Sequence, residues 1–386
     1  MKSYAALAFF LLLAACSSAP VQPPPTPDSL FADARFVRPA RDRQALDVFA
    51  LSDAMKRYAS SGELATHLRA KGVRRGLIEA LYDQGLLRLE YDSSMTRTAA
   101  EAFDARAGNC LSLVIMTAAF ASELGLEVQF QSVPDQESWG RSGDLYLAVG
   151  HVNLTLGKQS GGVYALRSTY EALIVDFVPG ADIRSQRSVP ISEATIVAMY
   201  MSNRAAEALA KGEIDAAYWW AREALRREPK FMSAYNTLAV IYRRHGDLGL
   251  AERVFKEVLQ REPANTQAMS NLALLLTDVG RHAEADALKV KLTQLQPHPP
   301  FSYFNQGLAA MQQGDYQAAK VWFGKEVDRA AYYHEFHYWL ARAHYALGEF
   351  DAAREQMALA VENTTTHKDH DLYAAKLDWL SHYHPQ

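Results

Sequence analysis

Tyr235-Asn236-Thr237-Leu238-Ala239-Val240-Ile241-Tyr242-Arg243-Arg244-His245-Gly246-Asp247 is the stretch that decides the fold of the larger part of this chain. It opens with apolar residues at i, i+3, i+4 and i+7, the spacing that gives a helix one apolar face, and Gly246 predicts a turn. Glycine recurs 34 residues apart on both sides of this turn, at Gly212, Gly246, Gly280, Gly314 and Gly348. Such a period predicts a stack of repeated units, because one unit cannot bury its apolar face alone.

The 34-residue unit resembles the tetratricopeptide repeat, in which a helix, a turn and a second helix follow one another. In the second unit, the small Ala251 lets the two helices approach closely, and Pro263 ends the unit. The resemblance predicts an all-α solenoid over residues 197–386 that folds without the preceding domain, because repeats contact only their neighbours. A capping helix is expected to end it, with the apolar residues Leu372, Leu377, Trp379 and Leu380.

The concave face of such a solenoid is expected to bind a protein or peptide partner. Histidines in this half also suggest a metal site: His334, His337, His367, His370, His382 and His384. However, His337 takes an aromatic position of the repeat, and no acidic residue stands at a helical spacing that would complete a ligand set. Packed or solvated histidines are therefore expected, with no metal and no cofactor.

The composition of the 386-residue chain is that of a globular protein with several folding units, since 49% of the residues are hydrophobic and 22% are charged. Lys plus Arg number 40 and Asp plus Glu 44, so no basic excess recruits nucleic acid. Two cysteines occur, Cys16 and Cys110. They are too few for a disulfide scaffold, so each is interpreted as an individual chemical group.

The N-terminus predicts export and a lipid anchor. An apolar run from Tyr4 to Ala15 has the length of a signal-peptide core and is shorter than the roughly twenty residues of a membrane span. Leu13-Ala14-Ala15-Cys16 resembles the lipobox of bacterial lipoproteins, which implies that residues 1–15 are a signal peptide and that Cys16 carries lipid. By the same resemblance, Ser17 in place of Asp points to the outer membrane, facing the periplasm. The proline-rich residues 16–30 predict an extended tether.

Residues 31–196 predict an α+β domain, mostly helical over 31–106. Gly108-Asn109 breaks the chain before Cys110, which opens an apolar run closed by Gly125. A helix that begins at Cys110 would place the thiol in its first turn, where the helix dipole favours thiolate. Three strand-like runs follow, at 127–133, 145–156 and 172–178.

His151 lies in the second of these runs and Asp176 in the third. A cysteine at a helix start followed by a histidine and an aspartate on successive strands resembles the transglutaminase-like domain, a relative of the papain-like cysteine peptidase fold, over residues 96–180. The resemblance implies that Cys110 attacks an acyl carbon, His151 moves its proton and Asp176 orients the ring. Transfer to water (peptidase or amidase) and transfer to an amine (transamidase) both stay open. The Cys110 backbone N–H is the first candidate for oxyanion stabilisation.

Plainer interpretations stand beside this one. Cys110 alone fits a buried core cysteine, and His151 fits a satisfied core histidine. Asp176 favours the triad, because a carboxylate in an apolar strand is costly to bury without a partner. Trp139, in the expected loop 134–143, either flanks the cleft and binds substrate or packs on the sheet. The alternative function is a non-enzymatic envelope adaptor that recruits partners through the repeats.

Overall fold

The computed structural model describes residues 27–38, 46–82, 89–92, 95–142, 145–159, 173–177, 188–364 and 366–382. The expected signal peptide, Cys16 and most of the tether lie outside these ranges. Among the described residues, no helix combines the length and the apolarity needed to cross a bilayer.

Helices dominate the chain up to residue 123. Two short 3₁₀ helices, Pro27–Leu30 and Asp33–Arg35, precede α1 Asp53–Ala59, α2 Gly62–Lys71, α3 Val73–Tyr82, α4 Ala99–Ala105 and α5 Cys110–Glu123. The helix α1 begins at Asp53, because the Ser52 side chain caps it by accepting a hydrogen bond from the Met55 N–H. Two short strands, β1 Glu90–Tyr91 and β2 Ala107–Gly108, pair in parallel, a pairing that the sequence pattern did not predict.

An antiparallel sheet of four strands carries the rest of this part in the order β5-β4-β3-β6. The strands are β3 Leu126–Ser142, β4 Leu145–Gln159, β5 Leu173–Val175 and β6 Val189–Ile191. The prediction of a loop at 134–143 is wrong, because β3 continues through these residues to Ser142 after a register shift between Val133 and Glu137. Such an irregularity accommodates Pro134, which cannot donate to a regular ladder.

Ten helices of the described chain, from α6 to α15, pair into five repeats. They are α6 Glu193–Ala210, α7 Ile214–Arg227, α8 Met232–His245, α9 Leu248–Arg261, α10 Thr266–Asp278, α11 His282–Leu295, α12 Ser302–Gln312, α13 Tyr316–Arg329, α14 His334–Ala346 and α15 Phe350–Glu362. The turn glycines have positive φ, 93° at Gly246, a conformation that glycine adopts without a steric penalty. The predicted all-α repeat architecture is confirmed. The first helix of the repeats, α6, begins at Glu193, before the expected boundary at 197, because Ser192 caps it.

The final helix, α16 His367–His382, packs on the last repeat, but not through all the expected residues. Tyr373 and Leu380 are buried there, with Leu377 packed against them. Leu372 and Trp379 are 46% and 50% exposed, and the Trp379 ring makes an edge contact with Tyr345 at 5.6 Å between centroids. Tyr373, an aromatic residue that the prediction omitted, is buried on this helix together with Leu380.

A single hydrophobic core runs from Leu30 to Ala285 and includes both the sheet domain and the first three repeats. The helix α6 makes this possible, because it packs against α5 and the sheet on one side and against α7 on the other. A separate core begins at Phe301. Between them, α11 contributes one buried residue, Ala285, so the apolar interior is interrupted there.

Candidate active site

Cys110 is the first residue of α5, as the sequence predicts, and the residues before it explain why the helix starts there. The Asn109 side chain caps the helix, since its Oδ1 accepts a hydrogen bond from the Ser112 N–H at 2.9 Å. Gly108 has no room for a side chain, because a Cβ there would lie 2.7 Å from the Cβ of Ser112. The geometry of this helix start thus explains the identities of Gly108 and Asn109.

His151 and Asp176 form a buried pair on neighbouring strands. His151 Nε2 lies 2.7 Å from Asp176 Oδ2, and the two side chains are 2% and 1% exposed. Asn153 donates a second hydrogen bond to the same carboxylate oxygen at 3.2 Å. Since β4 and β5 pair antiparallel with Leu154 opposite Val175, Asp176 comes to lie beside the polar residues of β4.

The ring of His151 contacts both of the other predicted site residues. Burial disfavours its charged form, but hydrogen bonds to Asp176 and to Cys110 outweigh burial and raise the pKa of His151 to about 9. Because Nε2 faces Asp176, Nδ1 is the ring nitrogen left for the thiol. At neutral pH the site therefore favours an imidazolium, held between a carboxylate and a sulfur.

Tyr91 is a site residue that the sequence analysis missed. Its phenol lies close to both the backbone N–H and the thiol of Cys110, and burial followed by the nearby cysteine raises the pKa of Tyr91 well above its ordinary value. The parallel pairing of Tyr91 with Gly108 brings the phenol there. Cys110 itself is 5% exposed. The N–H expected to stabilise an oxyanion thus lies beside this phenol.

Thr96 connects the helix start of Cys110 to the first repeat. Its Oγ1 accepts a hydrogen bond from Asn109 Nδ2 at 2.9 Å. On the other side its N–H donates to Glu207 Oε1 at 2.6 Å, and its carbonyl accepts from Arg204 at 3.0 Å. Both partners belong to α6, so this helix supports the N-terminus of α5 as well as the repeats.

The structure brings Cys110, His151 and Asp176 together, whereas Trp139 lies on β3 opposite Ala148 and its side chain is outside the described part. Asn153 was visible in the sequence as a polar residue two positions after His151, which puts both on one face of a strand. Nothing in the sequence pointed to Tyr91 or Thr96, because both reach the site through long-range pairing.

The histidines described in the repeats do not assemble around a common point. His337 is 2% exposed, and its ring nitrogens face Gln356 Oε1 at 2.8 Å and the Ala331 carbonyl at 2.7 Å. His334 lies beside Tyr373, and burial lowers its pKa. Among the described residues, no group of three or more His, Cys, Asp or Glu side chains has the geometry of a metal site. His384 and the side chain of His367 are outside the described part.

Comparison with protein families identifies the C-terminal region. Two family models, both described as tetratricopeptide repeat, match residues 236–290 and 310–376. The C-terminal region therefore consists of tetratricopeptide repeats, a class of module that binds protein or peptide partners. No curated protein matches the chain.

Solved structures similar to the chain include other repeat proteins. PilF of Pseudomonas aeruginosa is 20% identical with a TM-score of 0.30, and the match covers 49% of this chain and 86% of PilF. TTC0263, a thermophilic TPR protein of Thermus thermophilus, is 19% identical with a TM-score of 0.31, and the match covers 47% of this chain and 99% of that one. At these TM-scores the likeness carries no argument about what the chain does.

Proposed function

We propose that this protein is a thiol-dependent acyl transferase of the transglutaminase-like type whose repeats recruit a protein or peptide. The observation that carries the proposal is the buried 2.7 Å contact between His151 and Asp176 with Cys110 on the same imidazole. A carboxylate that orients a histidine beside a thiol is the arrangement that nucleophilic cysteine catalysis requires. A cysteine that merely packs in a core needs no such partners.

The proposed reaction uses these side chains in sequence. The proton of the thiol resides on His151 as the imidazolium, and the sulfur attacks the carbonyl carbon of an amide. The imidazolium, stabilised by Asp176, then gives its proton to the leaving amine, so the C–N bond breaks and a thioester remains. Water or a second amine attacks this thioester while His151 takes its proton, and Cys110 is released.

Tyr91 adds a condition to this mechanism. A carbonyl oxygen that approaches the Cys110 N–H meets the Tyr91 phenol, which lies beside that N–H. The proposal therefore includes a movement of β1 or of the Tyr91 side chain when substrate binds. The Tyr91 phenol lies beside the Cys110 thiol, and Cys110 is only 5% exposed. Both features favour the second candidate, a non-enzymatic adaptor that keeps the fold and acts through its repeats alone.

We further propose that the chain is a lipoprotein anchored through Cys16 and sorted to the periplasmic side of the outer membrane. The support is the apolar run Tyr4 to Ala15 followed by Leu-Ala-Ala-Cys, and Ser17 after it. Mass spectrometry of the N-terminal peptide tests this. Acyl mass on Cys16 is expected, and an unmodified N-terminus beyond it contradicts the anchor.

Labelling of the native thiol separates the two functions. The Cys16→Ser chain leaves Cys110 as its one cysteine. We expect a peptide-based, thiol-reactive acyl mimic to label it stoichiometrically at pH 7, to leave Cys110→Ala unlabelled, and to react at least tenfold more slowly with His151→Ala. Labelling that appears only in denaturant contradicts the enzyme and supports the adaptor.

A further inference from the structure

Residues 29–37, which begin at the end of the expected tether, pack on the first two repeats although they are far from them in sequence. Phe36 stacks on Tyr218 with ring centroids 3.9 Å apart and an interplanar angle of 4°. Phe36 and Leu30 are 5% and 4% exposed. These residues were expected at the boundary between tether and sheet domain, but their contacts are made with α7, α8 and α9.

The repeats hold the backbone of this segment through side chains. Tyr218 Oη accepts from the Ala32 N–H at 2.9 Å, and Tyr242 Oη donates to the Leu30 carbonyl at 2.7 Å. At the other end, the Trp219 indole N–H donates to the Val37 carbonyl at 2.8 Å. The Val37 N–H donates to Asp215 at 2.8 Å. Side chains that bond to peptide groups at both ends hold the backbone of the segment in place independently of its own side chains.

Two side chains of the segment add specificity to these backbone contacts. Asp33 accepts hydrogen bonds from Tyr218 Oη at 2.6 Å and from Arg222 Nε at 2.8 Å. Arg35 forms an ion pair with Asp247. Together with the buried Leu30 and Phe36, this gives the pattern of an aliphatic residue, an acid three positions later and an aromatic residue three positions after that.

The sequence of α7 departs from the other repeats at the positions that make this groove. The residues 34, 68, 102 and 136 positions after Trp219 are Arg253, Ala287, Val321 and Glu355, and all four are exposed or half-buried. Trp219 is 8% exposed and Tyr218 is fully buried, although the Tyr218 position is exposed or half-buried in the later repeats. A large aromatic pair on the solvent side of a helix is explained by the segment that covers it.

We propose that Tyr218, Trp219, Arg222, Tyr242 and Asp215 form a peptide-binding groove on the first two repeats, occupied in this chain by its own residues 29–37. The ligand class is a short peptide with the spacing Leu-x-x-Asp-x-x-Phe that forms a single 3₁₀ turn beginning at its aspartate. A partner that carries this pattern binds by displacing the segment. The groove does not depend on the thiol chemistry.

The test uses the full chain and a labelled peptide of residues 28–38. In the variant Asp33→Asn/Phe36→Ala, the internal segment is weakened while every groove residue is unchanged. We expect fluorescence anisotropy to show at least tenfold tighter peptide binding to this variant than to the wild type, because the internal competitor acts at an effective concentration in the millimolar range. A peptide with the same two substitutions is the matched control and is expected not to bind.

Adding Tyr218→Phe to the weakened variant removes the phenol that bonds both Ala32 and Asp33. We expect the peptide affinity of that variant to fall about tenfold, which is about 1.4 kcal/mol. Equal affinity for the native and the substituted peptide overturns the proposal. So does loss of helical circular dichroism in Asp33→Asn/Phe36→Ala, because the segment would then be a part of the core and not an occupant.

Discussion

The imidazole of His151 makes the stability of the protein depend on pH in a defined window. Its pKa is raised from 6.5 to about 9, so the folded state binds the proton more tightly than the unfolded state. This stabilisation is fully present below pH 6.5 and is lost as the pH rises through 9, and it amounts to at most about 3 kcal/mol. We expect the melting temperature to fall across this window.

The control for this prediction is Asp176→Asn, which keeps the shape of the side chain and removes the charge that Nε2 faces at 2.7 Å. Its melting temperature is expected to change less between pH 6.5 and 9 than that of the wild type. Parallel pH profiles for the two proteins would show that the pair does not hold an imidazolium.

How far the site follows from sequence is clearest residue by residue. Cys110, His151 and Asp176 could be predicted because their order and their placement on a helix start and two strands are local features. Tyr91 could not, because its position depends on a two-residue parallel pairing with Ala107–Gly108. Hydrophobic periodicity does not reveal such a short pairing.

The Asn109 side chain caps the N-terminus of α5, where the proposed nucleophile Cys110 lies. Replacing Asn109 by Ala removes the acceptor of the Ser112 N–H and the donor to Thr96. We expect a loss of about 1 kcal/mol in the free energy of unfolding and slower labelling of Cys110. Asn109→Ser keeps a capping oxygen and should lose less. Equal urea midpoints for both variants and the wild type would contradict the role of the cap.

The contact between α12 and α13 depends on a missing methyl group. The other repeats carry Ala205, Ala239, Ala273 and Ala341 at the position of Gly307, so the repeat pattern alone predicts that alanine is tolerated there. In the structure, a Cβ on Gly307 would lie 2.4 Å from the ring of Phe323, which is fully buried.

Gly307→Ala is therefore expected to destabilise the protein by about 1–3 kcal/mol through overpacking. The matched control is Gly324→Ala on α13, where a Cβ meets no atom within 4 Å. That change is expected to stabilise the helix by up to about 1 kcal/mol, since glycine is a poor helix former. Urea unfolding measures both, and a destabilised Gly324→Ala with a neutral Gly307→Ala would reverse the argument.

At the scale of the whole molecule, the interruption of the core between Ala285 and Phe301 divides the solenoid. Stability in stacked repeats is carried by contacts between neighbours, so a weak junction separates cooperative units. Hydrogen exchange in increasing denaturant should show α12 to α15 opening before α6 to α10. A single transition shared by all these helices would contradict this division.

The repeats could be predicted from the sequence, because their turn glycines recur with a period of 34 residues. The contacts between neighbouring structural units could be predicted less well. A solenoid that folds alone was expected from residue 197, yet α6 is buried against α5 and the sheet as well as α7. The continuation of β3 to Ser142 and the buried face of α16 were likewise set by neighbours, and local patterns carry little information about neighbours.

The contact of residues 29–37 with the repeats affects the order of events while the chain is synthesised. Leu30 and Tyr242 are 212 residues apart, and the chain is synthesised from its N-terminus. At about 5–20 residues per second, roughly 10 to 40 s pass between the appearance of the segment and that of its binding site. Every newly made molecule therefore passes through a stage in which the segment is unbound, and its docking cannot precede the synthesis of α7 and α8.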